Sequence, residues 1–353
     1  MRASHLLLSL LIGSALTIPN MAIAQSKEAP KPTVKTDVSA ALKAPQSASS
    51  AKLIGSLKTV SATDEDTLVH IGRRHGVGFV EMRAANPTLD PWIPGDGTKV
   101  VVPTMNLLPD APRNSVVINL AEMRMYIYNQ GPEPITFPIG IGRDGLQTPV
   151  GTTKILRKTE DPTWTPTPRM RAEDPTLPPV VYPGPDNPMG THAMYLGFPN
   201  IAIHGTNKPY GIGRRVSSGC IRMFPEDIGR VYSMLPVGTT LTVVDQPVKA
   251  GWVDNVFYIE ASPTQDQATA MEKEGKIPQY EVSESDLAYI MRKAGNDQNK
   301  LDWALIRKVI KERKGYPIEI ATRSGASSKP SSSEMTEAEK PVKPILNTTK
   351  PSV

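Results

Sequence analysis

The sequence predicts a mainly β protein: a β-sandwich-like or barrel-like sheet domain, preceded by a small α+β module and followed by a helical C-terminal extension. Three observations carry this. Between residues 112 and 246 apolar side chains recur with a period of two in short segments ("SVVINL", "MRMYIYN", "PITFPIGIG", "GTTKILRKTE", "AMYLGF", "IAIHG", "TTLTVVD") separated by Pro- and Gly-rich loops. Upstream, the period changes to helical and closes on the β-branched "KVVVP". Downstream, "SDLAYIMRKAG" and "LDWALIRKVIKERKG" repeat apolar residues at helical spacing.

In chain order, Arg2, the apolar run from Leu6 to Ile18 and the small-residue pattern Ala22-Ile23-Ala24 read as a secretory signal peptide over residues 1–24, cleaved near Ala24. Residues 25–61 and 324–353 are rich in Lys, Ala, Pro and Ser, so a disordered linker and a disordered tail are expected. Residues 62–105 form the small module. Leu68, Val69 and Ile71 start a helix behind the acidic "TDEDT", Gly76 stops it, and a second helix runs from Phe79 to Ala85 and ends at Asn86-Pro87. The strand series of 112–246 is broken by "DPTWTPTPRMRAEDPTLPPVVYPGPDNPMG", a Pro-dense insertion that suits a lid or the wall of a cleft. Pro225, with Glu226 and Asp227 at the positive end of the dipole, opens a helix to about Leu235. The extension, 247–323, holds a hairpin-like piece over 251–261 and two helices, the second burying Leu301, Leu305 and Val309. No chemistry is legible in it, and a structural or docking role is expected.

The net charge of +5, from 40 basic and 35 acidic residues, is too mild to mark a nucleic-acid binder and suits a polyanionic envelope polymer equally well. The single cysteine is more informative. An exported chain with one Cys makes no internal disulfide, so Cys220 is a buried small residue, an intermolecular bridge or a reactive thiol. Its surroundings, "HGTNKPYGIGRRVSSGCIRM", offer what thiol catalysis needs: His204 as base, Arg214, Arg215 and Arg222 to favour the thiolate, and Gly219, whose turn leaves the amides of Gly219 and Cys220 uncovered for an oxyanion.

These residues carry two resemblances. "DTL..I", "ANP" and "V.VPT" in 62–105 resemble the LysM module, which implies binding to N-acetylglucosamine-containing polymer. His204-Gly-Thr, a spacer of matching length and "SSGCIRM" resemble the signature of the YkuD-type L,D-transpeptidase catalytic domain, supported by "TPVGTT" and "NPMG". The layout of module, catalytic domain and extension is similar to that of the ErfK/YbiS/YcfS/YnhG-like group. The resemblance implies a periplasmic enzyme that needs no cofactor and whose donor is a peptidoglycan tetrapeptide stem. It implies Cys220 as nucleophile, His204 as acid and base, the Gly205 carbonyl as orienter of the imidazole and Ser217 as a brace. Arg222 either holds the loop or meets a stem carboxylate. Tyr195, His192 and Ser218 are candidate substrate-binding residues, and Ser218 stands where the family often has His.

Two other outcomes share the acyl-enzyme: a thiol carboxypeptidase, and a hydrolase releasing envelope protein from the wall. For transfer, the acceptor is the lysine of an outer-membrane lipoprotein or a diaminopimelate amine that gives a 3-3 cross-link. A non-catalytic peptidoglycan-binding protein is the alternative of another class. A metal site from His192, His204 and Cys220 lacks paired-ligand spacing.

Overall fold

The computed structural model describes residues 51–275 and 277–323. The expected signal peptide, the greater part of the linker and the tail lie outside them. The linker's last residues are ordered: β1 (Leu53–Ile54) and β2 (Leu57–Ser61) are strands, a correction to the expectation of disorder up to residue 61. Ile54 and the alternating Leu57, Thr59 pair with partners 42 or more residues away, which local composition does not reveal. No helix of the described residues is long and apolar enough to cross a membrane.

Helices α1 (Leu68–Arg74) and α2 (Phe79–Ala85) fall where the sequence places them. Thr67 caps α1 by accepting from the His70 amide at 3.0 Å, and Arg73 and Arg74 lie at its negative end. They pack on the antiparallel pair β2 and β3 (Lys99–Pro103) around Leu68, Ile71, Met82, Val100 and Val102.

The chain then passes through β4 (Asn106–Leu107), β5 (Val116–Asn119), β6 (Arg124–Ile127), β7 (Ile135–Pro138), β8 (Ile141–Gly142), β9 (Gly151–Glu160), α3 (Pro168–Glu173), β10 (His192–Leu196), β11 (Ala202–His204), β12 (Arg215–Ser217), β13 (Ile221–Arg222), α4 (Pro225–Met234) and β14 (Thr240–Val244). Eight strands make one mixed sheet in the order β13-β11-β10-β9-β14-β5-β6-β7, with β14 parallel to β5 and β11 parallel to β13. The sheet curls until its ends meet: Gly140, just past β7, exchanges two backbone hydrogen bonds of 2.9 Å with Arg222 of β13. Of the two expected forms, sandwich-like and barrel-like, the curled single sheet is the barrel-like one, within a mixed α/β chain. The inner face is filled by α4, whose Ile228, Val231 and Leu235 pack with Ile155, Met194, Ile203 and Leu241, so no second sheet is required to cover it. Each such fully buried side chain contributes roughly 1.5–3 kcal/mol.

The extension comprises β15 (Val248–Val253), β16 (Val256–Ala261), α5 (Gln265–Glu274), α6 (Glu284–Ala294), α7 (Trp303–Glu312) and β17 (Ile318–Thr322). Its three strands pair in the order β15-β16-β17 and pack with α6 and α7 around Phe257, Ile259, Ile290, Ile306 and Ile310. Leu301 and Val309 are buried as expected, whereas Leu305 is only partly covered. Helix α5 was not legible. It places Ala268 and Met271 in the core of the curled sheet, and Arg215 donates to Gln265 O at 2.8 Å and Thr269 Oγ1 at 2.6 Å.

Candidate active site

Period-two alternation on β10 and β11 decides which side chains reach the cleft. Met194, Leu196 and Ile203 point to the α4 core, while Ala193, Tyr195, Ala202 and His204 take the other face. There, Tyr195, His204, Ser217, Ser218, Cys220 and Arg222 share a cavity of about 370 Å³ with residues of the Pro-dense insertion.

His204 is buried, and its Nδ1 lies 2.6 Å from the carbonyl oxygen of Gly205. A carbonyl only accepts, so Nδ1 carries the proton and Nε2 keeps the lone pair that a base requires. Burial, and then the charge of Arg222, push the imidazole down to about 4, against the opposing pull of the Gly205 and Met189 backbones. Cys220 is a free thiol, and burial raises its pKa despite the Ala202 backbone and Arg222. Its Sγ donates to the Asn200 carbonyl at 3.6 Å. The resting pair is therefore thiol and neutral imidazole, a combination in which the sulfur can act as a nucleophile only by giving up its proton.

The loop before the nucleophile is tied at three points. Ser217 Oγ donates to the Cys220 carbonyl at 2.5 Å and accepts from the Gly219 amide at 3.1 Å, which closes the turn from Ser217 to Cys220. Thr148 Oγ1 donates to the Gly219 carbonyl at 2.8 Å and accepts from the Gly142 amide at 3.0 Å. Gly219 adopts φ +108°, a conformation that favours glycine, and a Cβ there would also have to displace the end of the Ile201 side chain, 2.8 Å away. The Gly219 amide is thus engaged, a correction to its expected place in an oxyanion hole.

Residues 113–246 match the family model of the L,D-transpeptidase catalytic domain, YkuD. Over 283 residues the chain is 39% identical to the probable L,D-transpeptidase ErfK/SrfK of Escherichia coli K12, covering 77% of this chain and 89% of that relative. The chain belongs to the L,D-transpeptidase family. It is also similar to the probable L,D-transpeptidase YbiS of the same strain, 38% identical over 278 residues, which are 76% of this chain and 89% of that one. The probable L,D-transpeptidase YcfS is 42% identical over 208 residues, 56% and 65% of the two chains.

Of the residues singled out from its sequence, the L,D-transpeptidase brings Cys220, His204, Ser217, Ser218, Arg222 and Tyr195 to one cavity, with Gly205 behind the imidazole and Gly219 behind the thiol. His192 is not among the lining residues: it shares the face of Met194 and its ring meets Tyr232 of α4 at 4.6 Å. This corrects its expected role in the donor pocket. The Arg214 guanidinium lies 3.4 Å over the Phe79 ring and Arg215 is held by α5, so of the three arginines only Arg222 acts on the thiol. The Pro-dense insertion forms a wall of the cleft, with Trp164, Thr165, Thr167, Met170, Pro188 and Met189 lining the cavity.

Two supports escaped residue-level reading of the L,D-transpeptidase. Thr148 sits in "TPVGTT" and Asn187 in "NPMG", motifs noticed without a mechanism. Asn187 is fully buried; its Nδ2 faces the carbonyls of Pro162, Val181 and Tyr182 at 2.7, 3.2 and 3.2 Å, and its Oδ1 accepts from the Met189 amide at 2.8 Å. A buried Asn within a Pro-rich loop is a signal that could have found it.

Proposed function

We propose that this enzyme acts in the periplasm on the tetrapeptide stems of peptidoglycan, forming a thioester on Cys220 and passing the stem to an amine. The observation that carries the reading is the His204 tautomer: Nδ1–H is committed to Gly205, and the free Nε2 belongs to a residue that shares one cavity with the thiol. As Sγ bonds to the carbonyl carbon of the third residue, the thiol proton passes to Nε2. The tetrahedral adduct collapses, the C–N bond breaks, and Nε2 returns the proton to the departing D-alanine amine. An incoming amine then gives a proton to Nε2, attacks the thioester and frees the thiol. The acceptor is a lipoprotein lysine or a diaminopimelate amine. The βααβ order of the N-terminal module supports a LysM-like role in holding glycan near the cleft.

Purified chain is incubated with disaccharide-tetrapeptides, with and without a lysine-ended lipoprotein peptide, and products are read by mass spectrometry. The expected result is D-alanine release, a thioester adduct on Cys220 and an acceptor-dependent product. Release without acceptor incorporation would instead identify a carboxypeptidase. No adduct and no release would refute acyl transfer, and unchanged activity in Cys220→Ala would refute the nucleophile.

A further inference from the structure

We propose that Arg222 reads the free α-carboxylate of the amino acid that the enzyme expels, selecting donors with a carboxylate one residue beyond the bond that is cut. This rests on the acyl-transfer reading above. Arg222 is fixed by its backbone, which pairs with Gly140 on one side and stands in register with His204 on the other. Its side chain lines the cavity that holds Cys220 and His204 and passes Gly211, where a Cβ would lie 4.0 Å from Nη1.

What distinguishes this guanidinium is the company it lacks. Among the described residues its guanidinium makes no hydrogen bond or ion pair, and its electrostatic neighbours are the thiol and the imidazole; Arg214, which also lacks an ion pair, is stacked on Phe79 and does not line the cavity. Other arginines of the same domain or its borders are paired: Arg124 with Glu81 at 2.8 Å, Arg73 with Glu226 at 2.7 Å and Arg143 with Glu173 at 2.7 Å. A half-buried cation without an anion is costly, and it is retained where a ligand brings the anion. The scissile nitrogen has to reach His204, and a carboxylate oxygen of the same residue lies about 3 Å from that nitrogen. It therefore comes to rest beside the one cation that neighbours both His204 and Cys220.

The pairing also serves the base. The charge of Arg222 opposes protonation of His204. A bound carboxylate neutralises that charge, so the imidazole becomes more basic once a correct donor is in place. A donor one residue longer carries its carboxylate past Arg222 and gains neither effect.

The test compares three donors: a tetrapeptide stem ending in D-alanine acid, the same stem ending in D-alanine amide, and the acid stem with the side-chain carboxylate of its diamino acid amidated. Release of the terminal residue is measured for wild type, Arg222→Gln and Arg222→Lys, with alkylation of Cys220 by neutral iodoacetamide reporting an intact site. Wild type should prefer acid over amide by roughly 10- to 100-fold in kcat/KM, the value of a charge-assisted hydrogen bond. Arg222→Gln should lose that factor on the acid alone, and Arg222→Lys should recover part of it. Equal wild-type rates on acid and amide would overturn the proposal, as would a preference that survives in Arg222→Gln or one that follows the side-chain carboxylate instead. No release from any donor by wild type would refute the acyl-transfer reading itself, a pattern distinct from the others.

Discussion

The His204 imidazole rests uncharged, and the Cys220 thiol rests protonated. Because the thiol is raised, its alkylation by iodoacetamide should climb with pH to a midpoint above the ordinary thiol range, about 8.5; a midpoint below that would mean a preformed thiolate. The imidazole makes a prediction about folding. Its folded value, about 4, lies below that of an unfolded histidine, so the unfolded chain binds the proton first as pH falls. The stabilisation is full above about 6.5 and is lost toward 4, on the order of 3 kcal/mol in all. Urea denaturation over that window should show this slope, and His204→Gln should flatten it. That His204, Cys220 and Ser217 share one cavity was legible because a signature spans them. That Gly219's amide is engaged and that His192 faces α4 were not, since both follow from which partner or which sheet face a side chain meets.

The segment between His204 and Cys220 is an element in its own right, gripped from both ends of the chain. Gly213 backs onto Gly78 of the N-terminal module: the Val80 amide donates to the Gly213 carbonyl at 3.1 Å, and a Cβ on Gly213, at φ +74°, would lie 2.2 Å from the Phe79 nitrogen. Nearby, Glu81 and Arg124 form a buried ion pair. On the other flank, Glu272 of α5 accepts from the Arg215 amide at 2.9 Å. Gly213→Ala should therefore cost several kcal/mol by the combined clash and strain, read as a lowered denaturation midpoint, and should reduce kcat. Thr148→Val removes two ties of the nucleophile loop, with an expected loss of about 1–3 kcal/mol in transition-state stabilisation, seen in kcat more than in KM. Helices α1, α2 and α4 were legible from their caps, prolines and terminal charges. Helix α5 was not, because "QDQATAMEKE" buries only Gln267, Ala268 and Met271 and shows a weak apolar stripe. The strands β1 and β2 were hidden for a related reason, being short and paired only over long range.

At the scale of the molecule, the extension is joined to the curled sheet by a buried charge cluster. Lys249 of β15 pairs with Glu122 and, at 2.9 Å, with Glu260 of β16; Glu122 also accepts from Tyr126, and Glu260 accepts from the Leu107 amide at 2.6 Å. Lys249→Met would leave the buried carboxyl groups of Glu122 and Glu260 without their cation and should cost about 3–5 kcal/mol in denaturant unfolding. Burial pushes Glu260 up to about 8, above an unfolded carboxylate, so the folded protein holds a proton that the unfolded chain gives up. Stability should then decline as pH rises from about 4.5 toward 8, and Glu260→Gln should remove that decline. No single-residue pattern announces such a cluster, because its members come from three separate parts of the chain. The lid shows the opposite economy. Trp164 and Val181 pair as an isolated bridge, and Asn187 gathers the carbonyls of Pro162, Val181 and Tyr182, so the ends of the insertion are drawn together into a neck, with the exposed Arg143–Glu173 pair as a further tie beyond it. Everything beyond that neck can be lengthened, shortened or exchanged at the small entropic cost of a surface loop. The cleft thus has one wall that is free to be rewritten for a new substrate while Cys220, His204 and their supports stay as they are.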